Sequence, residues 1–311
     1  MNLVYFQDSH LRANSPEKRI DNYQESILEK IQEVIKIARE NNAVVLIGGD
    51  LWDVYNVTKV LSDKLQDIIE ESNLAFYCIY GNHDELSQNV ALSENTTLAH
   101  MFRRCQNFHH LTTLEGDDYF IKGYDYYHAI ENDIKEKGLI CDSKAPMRIA
   151  LVHAMITLED FFKDTLFVKA DEIKSDFNVV LCSHYHAPWG IKKINNINFV
   201  NIGSLGRPKI SERDIKPSCL LINTDEKKLK IIPLKCAKSA NEIFDLNKLE
   251  EKKEFVEDID KFVDALETQN VTVDAKLQDV ITNVCKEQSI DKNIENDLIG
   301  RINLYDNHVS G

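Results

Sequence analysis

The chain's 311 residues, 43% apolar and 28% charged, suit a globular protein with one large domain and a smaller second unit. No apolar run approaches the roughly 20 residues that a bilayer-spanning helix needs, which excludes a helical membrane role. The formal charge of −14 is uneven, with 17 acidic and 8 basic side chains in residues 241–311. This balance argues against unaided, non-specific binding to duplex nucleic acid, which requires a basic surface.

Residues 2–6 predict a strand entered almost at once. The segment Met1–Asp8 has neither a basic n-region nor a small-residue cleavage site, so no secretory signal is expected and a cytoplasmic location is. Ile27, Ile31, Val34, Ile35 and Ala38 recur at helical spacing and predict a helix over 22–40. The apolar run Ala43–Ile47, ending in Gly48-Gly49, reads as a strand buried on both faces. A helix over Val60–Glu71 and a strand over Ala75–Tyr80 follow, the strand running into Gly81. Further strands are predicted at 119–123, 148–152, 178–182, 197–202, 218–223 and 229–234. With no helix foreseen between Asn198 and Leu234, that stretch is expected to be mostly antiparallel. Alternating strands and helices before it imply a layered α/β architecture.

Past residue 240 the character changes. Phe255, Ile259, Phe262, Val263 and Leu266 form one helical stripe among charges, Leu277–Val284 a second and Ile294–Ile302 a third. The chain therefore divides into a catalytic-type domain over 1–240 and an acidic helical extension over 241–311, which either packs as a cap or docks a partner. Seven cysteines (78, 105, 141, 182, 219, 236 and 285) with no C-x-x-C pair read as small buried hydrophobes of a reducing compartment.

Five short segments each follow an apolar strand and carry metal-ligand residue types at its exit. They are Asp8-Ser9-His10, Gly49-Asp50-Leu51-Trp52-Asp53, Gly81-Asn82-His83-Asp84, Leu151-Val152-His153 and His184-Tyr185-His186. In extended chain, residues i and i+2 face the same way, so Asp8 with His10 and His184 with His186 can each present two ligands to one side. The exits of strands in an α/β sheet are also where ligands usually bind. Asp8, His10, Asp50, Asn82, His153, His184 and His186 form a nitrogen and oxygen set without cysteine, which suits manganese first, with iron or zinc as alternatives. Seven ligands exceed one transition ion and fit two divalent ions if one carboxylate bridges them.

In this order the segments resemble the five motifs of the calcineurin-like metallophosphoesterase superfamily: D-x-H, G-D-x-x-D, G-N-H-D/E, H and G-H-x-H. The resemblance implies a four-layer αββα sandwich and a hydrolase of phosphate esters. It places Asp8, His10 and His186 on one ion, Asn82, His153 and His184 on the other, and Asp50 between them. It gives His83 the role of protonating the leaving oxygen, with Asp53 orienting it, and makes a metal-bridging hydroxide the nucleophile. One departure is Ser183, which stands where the family has glycine before H-x-H.

Within the superfamily, Asp8-Ser9-His10-Leu11, His184–Pro188 and the turn Gly203-Ser204-Leu205-Gly206-Arg207-Pro208 resemble SbcD-type DNA-repair nucleases and their phage relatives. That implies DNA as substrate and, by position alone, an SbcC-type ATPase or self-association through 241–311. The alternatives are a phosphatase or phosphodiesterase of nucleotides or other small esters, and a non-catalytic scaffold. The intact ligand set and His83 argue against the scaffold. Arg207 is a candidate substrate-binding residue, and Arg12, Lys18 and Arg19 could line a phosphate path. Trp52 and Trp189 either stack on a base or pack beneath the metal loops. His109-His110 is not taken as a metal pair, because adjacent strand residues face opposite sides.

Overall fold

The computed structural model describes residues 1–87, 90–160 and 165–246, together with Thr282 and Lys292. Contacts divide the chain into two compact units, Met1–Phe244 and Asp245–Gly311. The three helical stripes foreseen after residue 240 lie outside the described residues.

In the first unit, one six-stranded sheet contains β1 (Asn2–Phe6), β2 (Ala43–Ile47), β3 (Phe76–Cys78) and β4 (Phe108–His110), all parallel. The second contains β5 (Thr113–Glu115), β6 (Tyr119–Tyr124), β7 (Met147–His153), β10 (Val179–Ser183), β11 (Gly190–Ile194) and β12 (Ile197–Asn201). Strands β6, β7, β10 and β12 are parallel, with β5 and β11 antiparallel at the edges. The short pair β8 (Ile156–Thr157) and β9 (Val168–Lys169) follows β7 in the chain. Finally β13 (Ser218–Asn223) pairs antiparallel with β1, and β14 (Lys228–Pro233) with β13.

The layering follows from side-chain alternation. Leu3, Tyr5 and Leu46 of the first sheet pack against Ile149, Leu151 and Leu181 of the second. The opposite parity, Val4, Phe6, Val45 and Ile47, packs outward against α1 (Tyr23–Glu40), α2 (Lys59–Ser72) and α3 (Thr97–Arg104). Ala150, Val152 and Val180 on the outer face of the second sheet meet Ile130 and Ile134 of α4 (Ile130–Lys137). A single turn, α5 (Ala240–Ile243), closes the unit. Two sheets between helices are the αββα sandwich.

The stretch after Asn198 is mostly antiparallel, as the sequence predicts, with one parallel pairing. β12 runs parallel to β10 and pairs antiparallel only with β11, an edge strand that the alternation did not reveal. Residues 202–217 then cross to the other sheet, where β13 and β14 form the antiparallel pair. A sheet change has no local signature, because both strands carry the same apolar pattern. The helices α3 and α4 were also not foreseen. Among the described residues no helix is long and apolar enough to cross a membrane, and the six described cysteines are free.

The crossing begins with the turn at 203–208, and buried basic side chains hold its carbonyls. Lys30 of α1, fully buried, donates from Nζ to Leu205 O at 2.9 Å. Arg19 donates from Nη1 to Gly206 O and Arg207 O and pairs bidentately with Asp21, so it is not available to line a phosphate path. Burial, then repulsion from Arg207 and Arg19, lowers the Lys30 ammonium to about 7. Between that value and the ordinary lysine range the unfolded chain binds the extra proton, so this residue's contribution makes stability rise with pH there. Lys30→Met abolishes that rise and strands Leu205 O, costing about 1–3 kcal/mol. The gap in urea midpoint between wild type and Lys30→Met is expected to widen from pH 7 to pH 10, and a gap that stays constant contradicts the lowered ammonium.

Candidate metal centre

Because β1, β2 and β3 are parallel in one sheet and β7 and β10 in the other, all five motif segments leave their strands at the same end of the sandwich. Asp8, His10, Asp50 and His184 adopt positive φ (49°, 46°, 47° and 75°), each costing on the order of 1 kcal/mol or more in a non-glycine residue. The left-handed kinks turn the chain so that side chains of different strands converge. Two glycines permit the approach. A Cβ on Gly81 would collide with the amide and carboxylate of Asp50, and one on Gly49, itself at φ +86°, would meet His153 Nδ1 at 2.6 Å.

Three sets of ligand atoms, each within 4.8 Å of one another, result: Asp8–His10–His186, His10–Asp50–His83 and Asp50–His153–His184. Asn82 joins through Oδ1, which lies 3.2 Å from His153 Nε2. Asp50 is central. Its Oδ1 accepts the His83 amide at 2.9 Å, and its Oδ2 lies 3.4 Å from His153 Nε2 and 3.7 Å from His10 Nε2. Burial works to raise the Asp50 carboxyl, but His153, His10 and His83 override it and hold it far below the usual range. Burial likewise opposes the charged form of His153, and Asp50 and Asp8 overcome it, raising the ring to about 10. His184 moves the other way, to about 3, through burial and the charge of His153.

The hydrogen-bond network tests whether cations fit here. His153 Nδ1 donates to Gly48 O at 2.8 Å, and its Nε2 faces two acceptor oxygens, Asn82 Oδ1 and Asp50 Oδ2, an arrangement that calls for positive charge at Nε2, supplied by a proton or by a metal ion. His186 Nδ1 donates to Glu212 Oε1 at 2.7 Å, and its Nε2 lies 3.0 Å from His10 Nε2. Ligand atoms converging at such distances need positive charge among them, from protons or from metal, and the mix of nitrogen and oxygen suits a borderline divalent metal. The residues therefore fit two ions, one beside Asp8, His10 and His186 and one beside Asn82, His153 and His184.

Asp53 meets His83 through its backbone. Its backbone carbonyl, not its carboxylate, holds His83, accepting from Nδ1 at 2.7 Å. The carboxylate instead faces His10 Nδ1 at 3.4 Å and pairs with Arg12 at 2.8 Å. Burial opposes its ionisation, while His10 and then Arg12 lower its pKa. Arg207 is corrected. It is 3% exposed, and its guanidinium donates to Arg213 O and Lys238 O, so it is committed to the interior and not to substrate. Trp52 is fully buried in the core of the first sheet, and Trp189 packs half-buried against the second. His110 pairs with Asp125, away from the cavity. The open cavity of about 800 Å³ above the centre has His83, Asn82, Tyr185, Glu212, Arg12 and Lys209 among its walls.

Four supporting residues escaped the sequence reading. Asp84 accepts from Trp52 N and Gly81 N, stitching the second and third motif loops together, and burial plus the charge of Asp50 pushes its carboxyl to about 8. Gln7 Nε2 donates to Asp8 Oδ2 at 2.9 Å, while Tyr5 OH donates to Gln7 Oε1 at 2.7 Å and meets Ser183 Oγ at 3.2 Å. The hydroxyl of Tyr5 thus fixes the amide's orientation, and Ser183 ends this buried chain. Glu212 lies 26 residues from the ring it holds. Only the place of Asp84 within its motif could have drawn notice; Gln7, Tyr5 and Glu212 carry no local signal.

A family model described as calcineurin-like phosphoesterase matches residues 8–188, and the chain belongs to that family. It is a hydrolase acting on phosphoester bonds, in a family that depends on a dinuclear metal centre. Among solved structures, an archaeal phosphodiesterase is similar at 15% identity, with 75% of this chain and 100% of that one covered and a TM-score of 0.40. A Thermus thermophilus protein is 13% identical over 75% of this chain and 98% of its own, with a TM-score of 0.45. A conserved uncharacterized protein of Streptococcus pneumoniae, described as a predicted phosphoesterase, is 12% identical over 75% and 97%, with a TM-score of 0.31. No curated protein matches the chain.

The Tyr5–Gln7–Asp8 chain sets a graded expectation. Ser183→Gly removes one buried hydroxyl link and adds backbone freedom, lowering stability by about 1–2 kcal/mol in urea unfolding. Gln7→Leu removes two buried hydrogen bonds at once, leaving Tyr5 OH only Ser183 Oγ and Asp8 Oδ2 only the His184 amide, and is expected to lower it further. Equal midpoints for the two variants contradict the central place of Gln7.

Proposed function

We propose that the chain is a metal-dependent phosphodiesterase that cleaves DNA, a nuclease similar to the SbcD type, and that manganese is its working metal. The observation that carries the metal reading is the convergence of His10 Nε2 with His186 Nε2, and of His153 Nε2 with Asn82 Oδ1 and Asp50 Oδ2, in one buried cluster of nitrogen and oxygen ligand atoms. Asp8, His10 and His186 would hold one ion, Asn82, His153 and His184 the second, with Asp50 shared. Bound there, the ions would polarise the phosphoryl oxygens and lower the pKa of water at the site.

The chain's own residues then orient and move protons. His83 Nδ1 is committed to Asp53 O, so Nε2 is the ring atom that holds or releases a proton toward the departing oxygen. Asp50, buried and held ionised, keeps the His83 amide in place through Oδ1 and so couples the ring to the metal ligands. Arg12 and Lys209, both on the cavity wall, supply cations for a second phosphate of a polynucleotide. Tyr185, between the two ligand histidines and also on the wall, offers a face on which a base can stack. The open shape of the cavity and the G-S-L-x-R-P turn support DNA over a small ester. The net charge of −14 favours a partner that provides much of the DNA-binding surface, and the acidic segment 241–311 is the proposed docking element.

A manganese-dependent hydrolysis assay tests this with single- and double-stranded DNA, bis(p-nitrophenyl) phosphate and p-nitrophenyl phosphate. DNA and the diester are expected to turn over, with the monoester slow. Hydrolysis of the small esters without DNA replaces the nuclease with a small-ester phosphodiesterase or phosphatase. His83→Ala is expected to lower kcat about 10²–10⁴-fold, and undiminished turnover refutes its role. Asp50→Asn is expected to lose both ions in equilibrium dialysis; retention of one overturns the sharing.

A further inference from the structure

The two halves of the centre are backed differently. On the Asp8 side His186 donates from Nδ1 to Glu212 Oε1 at 2.7 Å, while His10 Nδ1 lies 3.4 Å from Asp53 Oδ1 without a hydrogen bond. On the other side His153 Nδ1 donates to a neutral acceptor, Gly48 O, at 2.8 Å. A carboxylate behind an imidazole fixes its tautomer and raises its basicity at the far nitrogen more than a carbonyl does. The direct donors are unequal too, since Asp8 adds a second anion beside shared Asp50 on one side and Asn82 is neutral on the other.

Glu212 is placed for this task by a 3-10 turn at Ile210–Glu212 that follows the 203–208 turn. It is 4% exposed, and its second oxygen, Oε2, is buried without a hydrogen-bond partner. Burying a carboxylate with one bare oxygen is costly unless the charge has an electrostatic counterpart, and a cation held by His186 would provide one. The turn itself is tied to the same side of the centre: Ser204 Oγ donates to Asp8 O at 3.0 Å, and Ser204 N to His186 O at 3.2 Å. One short segment therefore grips Asp8 and His186 by the backbone and His186 again by its ring.

We infer that Glu212 is a positioning residue for His186 and makes the Asp8–His10–His186 subsite the tighter of two unequal metal subsites, the Asn82–His153–His184 subsite being the exchangeable one. This rests on the two-metal reading given above. The test is a manganese titration of the metal-free full chain, followed by calorimetry and by the loss of the free Mn(II) electron paramagnetic resonance signal. Wild type is expected to fill in two steps at least about tenfold apart in affinity. Glu212→Gln, an isosteric change, is expected to weaken the tighter step about 10–100-fold and leave the weaker one in place. His184→Ala supplies an independent arm: it should remove the weaker step and spare the tighter.

Equal steps in wild type, an unchanged tighter step in Glu212→Gln, or both steps weakened alike would overturn the inference while leaving a two-metal centre. Loss of the tighter step in His184→Ala would overturn it as well, whether or not the Glu212 variant folds. A wild-type chain that takes up no manganese would instead remove the metal reading itself, and this inference with it.

Discussion

Asp50 is a buried anion with imidazoles on both sides, and that single placement constrains the rest of the centre. One oxygen anchors the His83 amide and the other faces both His10 and His153. Neither oxygen is free to turn toward water, so the loops after β2, β3 and β7 must meet at fixed separations. The glycines at 49 and 81 and the left-handed backbone at Asp8, His10, Asp50 and His184 are consequences of that crowding. Backbone strain gathered at the ends of otherwise regular strands is tolerated because three separate apolar cores hold those strands rigid.

Around this anion the protein arranges a graded set of supports. Asp84 ties two motif loops through backbone amides, Gln7 orients Asp8, and Asp53 serves His83 with its carbonyl and faces His10 with its carboxylate. The turn at 203–208 reaches across from the second sheet to the first and is held from behind by Lys30 and Arg19. The buried Lys30 of α1 is thereby connected, through that turn, to the position of Asp8. Substituting any of these supports is a change to the site made from outside its ligands.

The mismatches between sequence and structure share a cause. Arg207 looked like a phosphate contact because an arginine in a turn near ligands usually faces outward; the crossing of residues 202–217 between sheets turns it into the interior. Asp53 does hold His83, but the curvature of its loop gives that ring the backbone carbonyl and leaves the carboxylate beside His10 and Arg12, a division that the residue's place in the motif does not reveal. Glu212 was invisible because its partner is 26 residues away and nothing in its neighbourhood marks it as different from any exposed glutamate. In each case the deciding quantity was a direction in space, which spacing along the chain does not encode.

The sequence by itself determined the family, the αββα layering of its strands and helices, and the set of nitrogen and oxygen side chains at the strand exits. These follow from local rules: apolar runs become buried strands, i and i+2 share a face, and motif order survives without knowledge of contacts. Only the tertiary structure decided which strands share a sheet, which lone pairs face one another, and which carboxylates stand behind which imidazoles. Those depend on pairings between residues as distant as Asp8 and Ser204, or His10 and His186, and the free energy of such pairings is set by burial and geometry that no window of sequence contains.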